Sequence, residues 1–371
     1  MATEYRTSKE QAYFAASNSR GGFHSYYEQC FRHKVDRLFY IKGGPGTGKS
    51  TLMRQVARCG EARGYRVEYY YCSSDADSLD AVLLYGEGTS LGLLDATLPH
   101  AMEPVLPGVE EEIIDLGQFW NSSHLSAHRE EIIRLNGKKA AGYRAAYRYL
   151  AGAGDISDVL QATVEPCIDR EKMRRAVHRL LKGTEKNGGD GKLSIGLCES
   201  VGMSGRVRLD TYLYLGERVC LIENYLDTAY MLTRELGQMA TERRLNVRIS
   251  YHPVLPDRID ALLLEDSKTV FLVCDPGKGE ELQAKAPHSR LVHMRHLVVP
   301  SAVRQVREKI RQTARLREAL ISEAQGELRQ VAQAHFELEQ IYSAAMNFDA
   351  KERYTRELCD QLFGKTSSSC N

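Results

Sequence analysis

The sequence predicts an α/β fold of two tandem domains. Each is a mostly parallel sheet flanked by helices, with a helical C-terminal extension. Three features predict this. An apolar run leads through a glycine-rich loop into an amphipathic helix; residues of the first half recur at a constant offset in the second; and each half ends in a long stretch of helical periodicity.

The first feature begins with Leu38-Phe39-Tyr40-Ile41, which has the length and apolar character of a buried strand. Residues 51–58 read as a helix with Leu52 and Val56 on one face. Between them lies Gly43-Gly44-Pro45-Gly46-Thr47-Gly48-Lys49-Ser50-Thr51, which satisfies G-x-x-x-x-G-K-[ST] with Gly43, Gly48, Lys49 and Ser50 in the fixed places. This is the pattern of a P-loop. Glycines let the backbone curl so that its N–H groups surround a phosphate, and the following helix adds the positive end of its dipole. Lys49 is expected to reach the outer phosphates, and the Ser50 hydroxyl to ligate the Mg²⁺ carried by the nucleotide.

The 371 residues suffice for two or three domains. With 50 basic and 49 acidic residues the net charge is +1, which gives no electrostatic case for a nucleic-acid partner. No window has the length and apolarity of a membrane span, and Met1-Ala2-Thr3-Glu4-Tyr5-Arg6 lacks the apolar core of a signal peptide. The nine cysteines form no zinc spacing; Cys220 and Cys274 lie in apolar runs and read as buried thiols of a reducing cytoplasm.

In chain order, Arg20-Gly21-Gly22 reads as a turn and residues 23–34 as a helix. Residues 66–72 read as a strand. The acidic loop Ser73-Ser74-Asp75-Ala76-Asp77-Ser78-Leu79-Asp80 then reads as the cap of a short helix through Leu84. Leu91-Gly92-Leu93-Leu94-Asp95 is the next strand. Residues 109–181 are read as mostly helical with a break at Gly152-Ala153-Gly154, and residues 302–346 as helical. The expected division is a domain at 1–184, a polar linker at 185–191 and a homologous domain at 192–371.

The repeat follows from an offset of 251 − 71 = 180 that lays Tyr71 on Tyr251. At that offset Asp77, Leu79, Asp80, Ala81, Leu83 and Leu84 meet Asp257, Ile259, Asp260, Ala261, Leu263 and Leu264, and Asp95 meets Asp275. The second copy has lost the glycine loop: residues 224–231 read Asn-Tyr-Leu-Asp-Thr-Ala-Tyr-Met, so Tyr225 and Asp227 bring bulk and negative charge to the phosphate position. One nucleotide site is expected, in the first half.

Asp95, at the end of a neighbouring strand, is the expected metal partner of Ser50; the competing reading is a loop-capping aspartate. Asp75 stands where open α/β sheets bind ligands, and its counterpart at the repeat offset is Leu255, which favours a role in nucleotide chemistry. Asp77 reads as a helix cap, and His100 and Glu103 as surface-loop residues. The residue that activates water is unassigned, and the contribution of an arginine from the second copy is left open. The apolar positions in residues 302–346 are not a sustained heptad and read as intramolecular packing.

The glycine loop, the Tyr-Cys-Ser-Ser-Asp-Ala-Asp-Ser-Leu-Asp segment at 71–80 and the Asp-Ala-Thr-Leu-Pro-His segment at 95–100 together resemble a poorly characterised bacterial family of tandem P-loop ATPase-like proteins. In that family the second copy commonly retains its P-loop, so residues 224–231 depart from the pattern. The resemblance implies ATP as the nucleotide, with Mg²⁺, and supplies no substrate. The expected function is ATP hydrolysis that drives or reports a conformational change between two copies packed on each other, with Lys49 and Asp75 as catalytic candidates. Residues 43–51 are the cofactor site, and Ser50 and Asp95 the metal site. A small-molecule kinase and a non-hydrolysing nucleotide-gated scaffold are the alternatives.

Overall fold

The computed structural model describes residues 4–6, 11–99, 101–184 and 190–364. His100 and most of the expected linker (185–189) lie outside the described residues.

Each half carries one six-stranded sheet, and the two sheets share a strand order. In the first the order is Gln11–Phe14, Arg66–Tyr71, Leu79–Gly86, Thr89–Asp95, Arg37–Lys42, Glu111–Asp115. In the second it is Leu193–Ile195, Val247–Tyr251, Ile259–Leu264, Thr269–Cys274, Arg218–Glu223, Arg290–His293. Five strands of each sheet run parallel, and the third in that order runs antiparallel to its neighbours. The architecture is therefore α/β with mixed, mostly parallel sheets and flanking helices. A hairpin (Ala16–Ser19 with Gly22–Ser25) and a three-stranded sheet that includes Glu199–Gly202 and Gly205–Leu209 join the halves. Tyr13, Phe14, Leu197, Val207 and Tyr212 share one core there.

Three local expectations are corrected. Residues 79–86 form the antiparallel strand, not a helix. Its centre is buried on both faces (Asp80 to Leu84), so the alternation that marks a half-exposed strand is missing. Asp77 consequently caps no helix. Residues 23–34 split into the strand Gly22–Ser25 and the short helix Tyr27–Phe31, after the turn at Arg20-Gly21. In the segment 109–181 a strand, Glu111–Asp115, precedes the helices, and the helix Arg129–Val164 runs unbroken through Gly152 and Gly154. Those glycines lie under neighbours: a Cβ would meet Leu320 at Gly152 and Arg20 at Gly154.

Two long helices dominate the remainder. The first arm, Arg129–Val164, and the second arm, Pro300–Ala345, pack antiparallel along each other. Leu135 meets Leu338, Gly142 meets Val331 and Gly152 meets Leu320. The arms carry the chain across. Helix Arg170–Leu180 follows the first arm and packs in the core of the second half, with Met173 and Val177 among Leu232, Leu236 and Phe271. Helix Phe348–Phe363 follows the second arm and packs in the core of the first half, with Leu358 and Cys359 among Leu52, Val56 and Val67. The two halves thus exchange their last helices. No helix among the described residues is long and apolar enough to cross a membrane.

Candidate functional site

The strand Arg37–Lys42 is buried at its centre and delivers the chain into the loop 43–48 at one end of the sheet. Gly46 (φ 68°) and Gly48 (φ 82°) take left-handed backbone conformations that other residues resist. Gly48 is the N-cap of the helix Lys49–Glu61, whose buried face is Leu52, Met53, Val56 and Ala57. A glycine N-cap has no side chain to satisfy the first amides, so the helix start suits an anion.

Lys49 folds back over the loop, donating to the carbonyls of Gly43 (3.0 Å) and Gly44 (2.8 Å), and its Nζ lies 3.5 Å from Asp95 Oδ2. The other oxygen of Asp95, Oδ1, accepts from Thr97 N (2.9 Å) and Thr97 Oγ1 (2.6 Å), which orients the carboxylate. Ser50 Oγ accepts from the Leu79 amide (3.0 Å), tying the loop to the antiparallel strand. Thr47 Oγ1 donates to Gly44 O (2.8 Å) and braces the turn.

These groups border a cavity of about 910 Å³ lined by all of residues 43–51 and by Asp75, Asp80 and Asp95. Asp75 Oδ1 accepts from the Asp77 amide (3.2 Å), which shapes the loop after strand Arg66–Tyr71. Glu103 is held away by Lys42 (2.7 Å) and does not line the cavity. The candidates Lys49, Ser50, Asp75 and Asp95 are therefore brought together with the glycine loop.

The opposite wall comes from the arms: Lys139 and Tyr143 from the first, His335, Glu339 and Tyr342 from the second. Lys139 Nζ donates to His335 Nδ1 (3.0 Å), and His335 Nε2 lies 3.6 Å from Glu339 Oε1. Burial pushes the His335 pKa down to about 4, with Lys139 and Lys49 adding to it, so the ring is neutral. Burial likewise lowers Lys139, against the pull of Glu339. Burial, then Asp75, raises Glu339, opposed by Lys49, Lys139 and the Gly46 amide. Met203 of the second half also reaches this wall.

Sequence patterns miss these arm residues because a lysine, a histidine and a glutamate on amphipathic helices form no motif. Asp80 had a signal in its repeat partner Asp260: both carboxylates are buried. The arginine left open for the cavity is absent from its described lining; its cations are Lys49 and Lys139.

The corresponding place in the second half is filled from within. Lys49 and Ser50 are replaced by Ala229 and Tyr230 at the start of helix Ala229–Glu242, and the loop before it is one residue shorter. Leu226 (φ 53°) and Asp227 (φ 65°) hold left-handed conformations there without glycine. The Asp227 carboxylate is buried and bonded to Arg258 (2.6 Å) and to Arg317 of the second arm (2.9 Å). Burial alone would raise its pKa; Arg317 and Arg258 outweigh that and hold it below the usual carboxylate range.

Residues 23–84 match the family model described as nephrocystin 3, N-terminal. The matched segment holds the strand before the glycine loop, the loop itself, Asp75 and Asp80, and it covers less than half of the chain. No curated protein and no solved structure matches the chain.

Proposed function

We propose that residues 43–51 form a P-loop and that the chain binds and hydrolyses Mg-ATP there, coupling the site to the packing of its two halves. The observation that carries this reading is the convergence of Lys49, Ser50 and Asp95 on one cavity whose far wall is built by the arms. The glycine loop and the start of helix Lys49–Glu61 hold the phosphates through backbone amides. Lys49, now on loop carbonyls, turns to the outer phosphates as a point charge. A serine hydroxyl and one oriented carboxylate suit a Mg²⁺ that keeps water and phosphate oxygens as its other ligands. When bound, that ion neutralises charge building on the phosphate oxygens. Asp75 borders the same space and orients the attacking water. The recurrence of one sheet topology in both halves supports the resemblance to tandem P-loop ATPase-like proteins, and the buried thiols suit a reducing cytoplasm.

The test is calorimetric titration of the full chain with Mg-ATP, with phosphate release measured in parallel. Lys49→Ala is expected to weaken binding by about 10- to 100-fold, the worth of a charge-assisted hydrogen bond, and to stop turnover while circular dichroism is unchanged. Unaltered affinity in a folded Lys49→Ala protein removes the assignment.

A further inference from the structure

The second arm presses on the glycine loop at two points. A Cβ at Gly46 would lie 2.5 Å from the Glu339 carbonyl oxygen, and one at Gly44 2.6 Å from the Tyr342 ring. The Glu339 carboxyl lines the same cavity as the loop, and the Gly46 amide favours its charged form. A carboxylate thus sits on a loop whose backbone is shaped for an anion.

The same carboxylate lies at the end of a row of polar side chains. Lys139 donates to His335 Nδ1 (3.0 Å), so the neutral ring carries its proton on Nε2, 3.6 Å from Glu339 Oε1. Glu339 therefore lies among the Gly46 amide, the His335 ring and the field of Lys49 and Lys139. Those are the groups a terminal phosphate would seek. The second half shows that this chain does place an internal carboxylate at such a loop: Asp227 at the degenerate loop, held by Arg258 and Arg317.

We propose that Glu339 is an internal stand-in for the terminal phosphate of a nucleoside triphosphate. The triphosphate displaces it from Gly46 and takes over Lys139, whereas a diphosphate leaves it in place. The proposal rests on the P-loop reading above. It makes Glu339 and Lys139 the residues that distinguish tri- from diphosphate. It also gives the distinction a mechanical output. The helix that carries Glu339 carries Arg317, which is bonded to Asp227 in the other half. Their separation of 339 − 317 = 22 residues spans about 33 Å of helix. Ejecting Glu339 from the loop tilts a rod whose other anchor is the degenerate loop.

The experiment titrates wild type, Glu339→Gln and Lys139→Gln with Mg-ADP and with the magnesium complex of the β,γ-imido analogue of ATP. Glu339→Gln keeps the shape and removes the competing charge. It should tighten the analogue by about fivefold or more and change ADP by less than about twofold. Lys139→Gln should weaken the analogue by about tenfold and spare ADP. If Glu339→Gln leaves the analogue-to-ADP ratio unchanged, or weakens the analogue, the stand-in is overturned while the P-loop stands. If folded wild type and Glu339→Gln both bind neither nucleotide, the P-loop reading falls and the stand-in falls with it.

Discussion

Glu68 and Arg248 occupy matching places 180 residues apart and bond to each other across the boundary between the halves, at 3.1 Å. A residue can touch its own repeat only where the axis relating the two copies passes. Glu68 is buried and shared with Arg66, and the Arg248 guanidinium lies over the Tyr13 ring at 4.9 Å. Burial would raise the Glu68 pKa, but Arg248 and Arg66 hold it below the usual carboxylate range.

Arg248→Met leaves a buried carboxylate with Arg66 as its remaining cation and the Tyr70 hydroxyl as a neutral donor. It is expected to cost about 2–3 kcal/mol in urea unfolding. The double variant Glu68→Leu/Arg248→Met should lose less than Arg248→Met alone. A double variant that loses more would show that the pair is not what the interface depends on.

Gly46→Ala and Gly64→Ala separate strain from contact. Both glycines have left-handed φ, 68° and 83°, but a Cβ at Gly64 meets nothing within 4 Å, while one at Gly46 strikes the backbone of the second arm. Gly64→Ala should cost only the conformational strain, about 1–2 kcal/mol. Gly46→Ala should cost more and raise hydrogen exchange in the second arm near Glu339. Equal melting temperatures for the two variants would remove the contact.

Asp260 is fully buried, and among the described residues neither of its carboxylate oxygens has a hydrogen-bond partner. Burial, then Glu199, pushes its pKa up to about 7 against Arg208 and Arg206. A carboxyl whose folded pKa is raised binds its proton more tightly in the native state, so its effect is to lower stability as pH rises from about 4 through about 7. Asp260→Asn should flatten that decline: relative to wild type it gains stability at pH 8 over pH 5 in denaturant titrations. A parallel shift at both values would mean that Asp260 does not titrate in this window.

The helix exchange predicts a specific cross-link. Cys59, on the helix after the glycine loop, packs against the core cluster that holds Cys359 of the last helix, 300 residues away. Copper-catalysed oxidation of the native chain should join them, read as a 59–359 peptide by mass spectrometry and lost in Cys59→Ser. A linkage of Cys359 to Cys220 or Cys274 in place of Cys59 would put the last helix on its own half.

What was legible in the sequence was local or periodic. The apolar strand at 37–42, the glycine loop, the helix behind it and the 180-residue repeat all announce themselves within short windows. Residues 79–86 misled because an acidic Ser/Asp run before an apolar segment looks like a helix cap, and a strand covered on both faces shows no alternation. The glycines at 152 and 154 looked like a break because a sequence does not reveal that Leu320 and Arg20 lie against them. The amphipathic faces of the helices Arg170–Leu180 and Phe348–Phe363 demand cover but do not name the sheet that supplies it. For the same reason the cavity's near wall was readable and its far wall was not: Lys139, His335 and Glu339 gain meaning only once the arms cross.

That crossing has a consequence for how the chain is made. Leu358 and Cys359 belong to the core that also holds Leu52 and Val56. On the ribosome the leading sheet therefore emerges long before the segment that seals it, and its apolar flank stays open to chaperones until residues 348–363 have been made. A truncated product ending before Phe348 would leave the glycine loop standing on an unfinished floor.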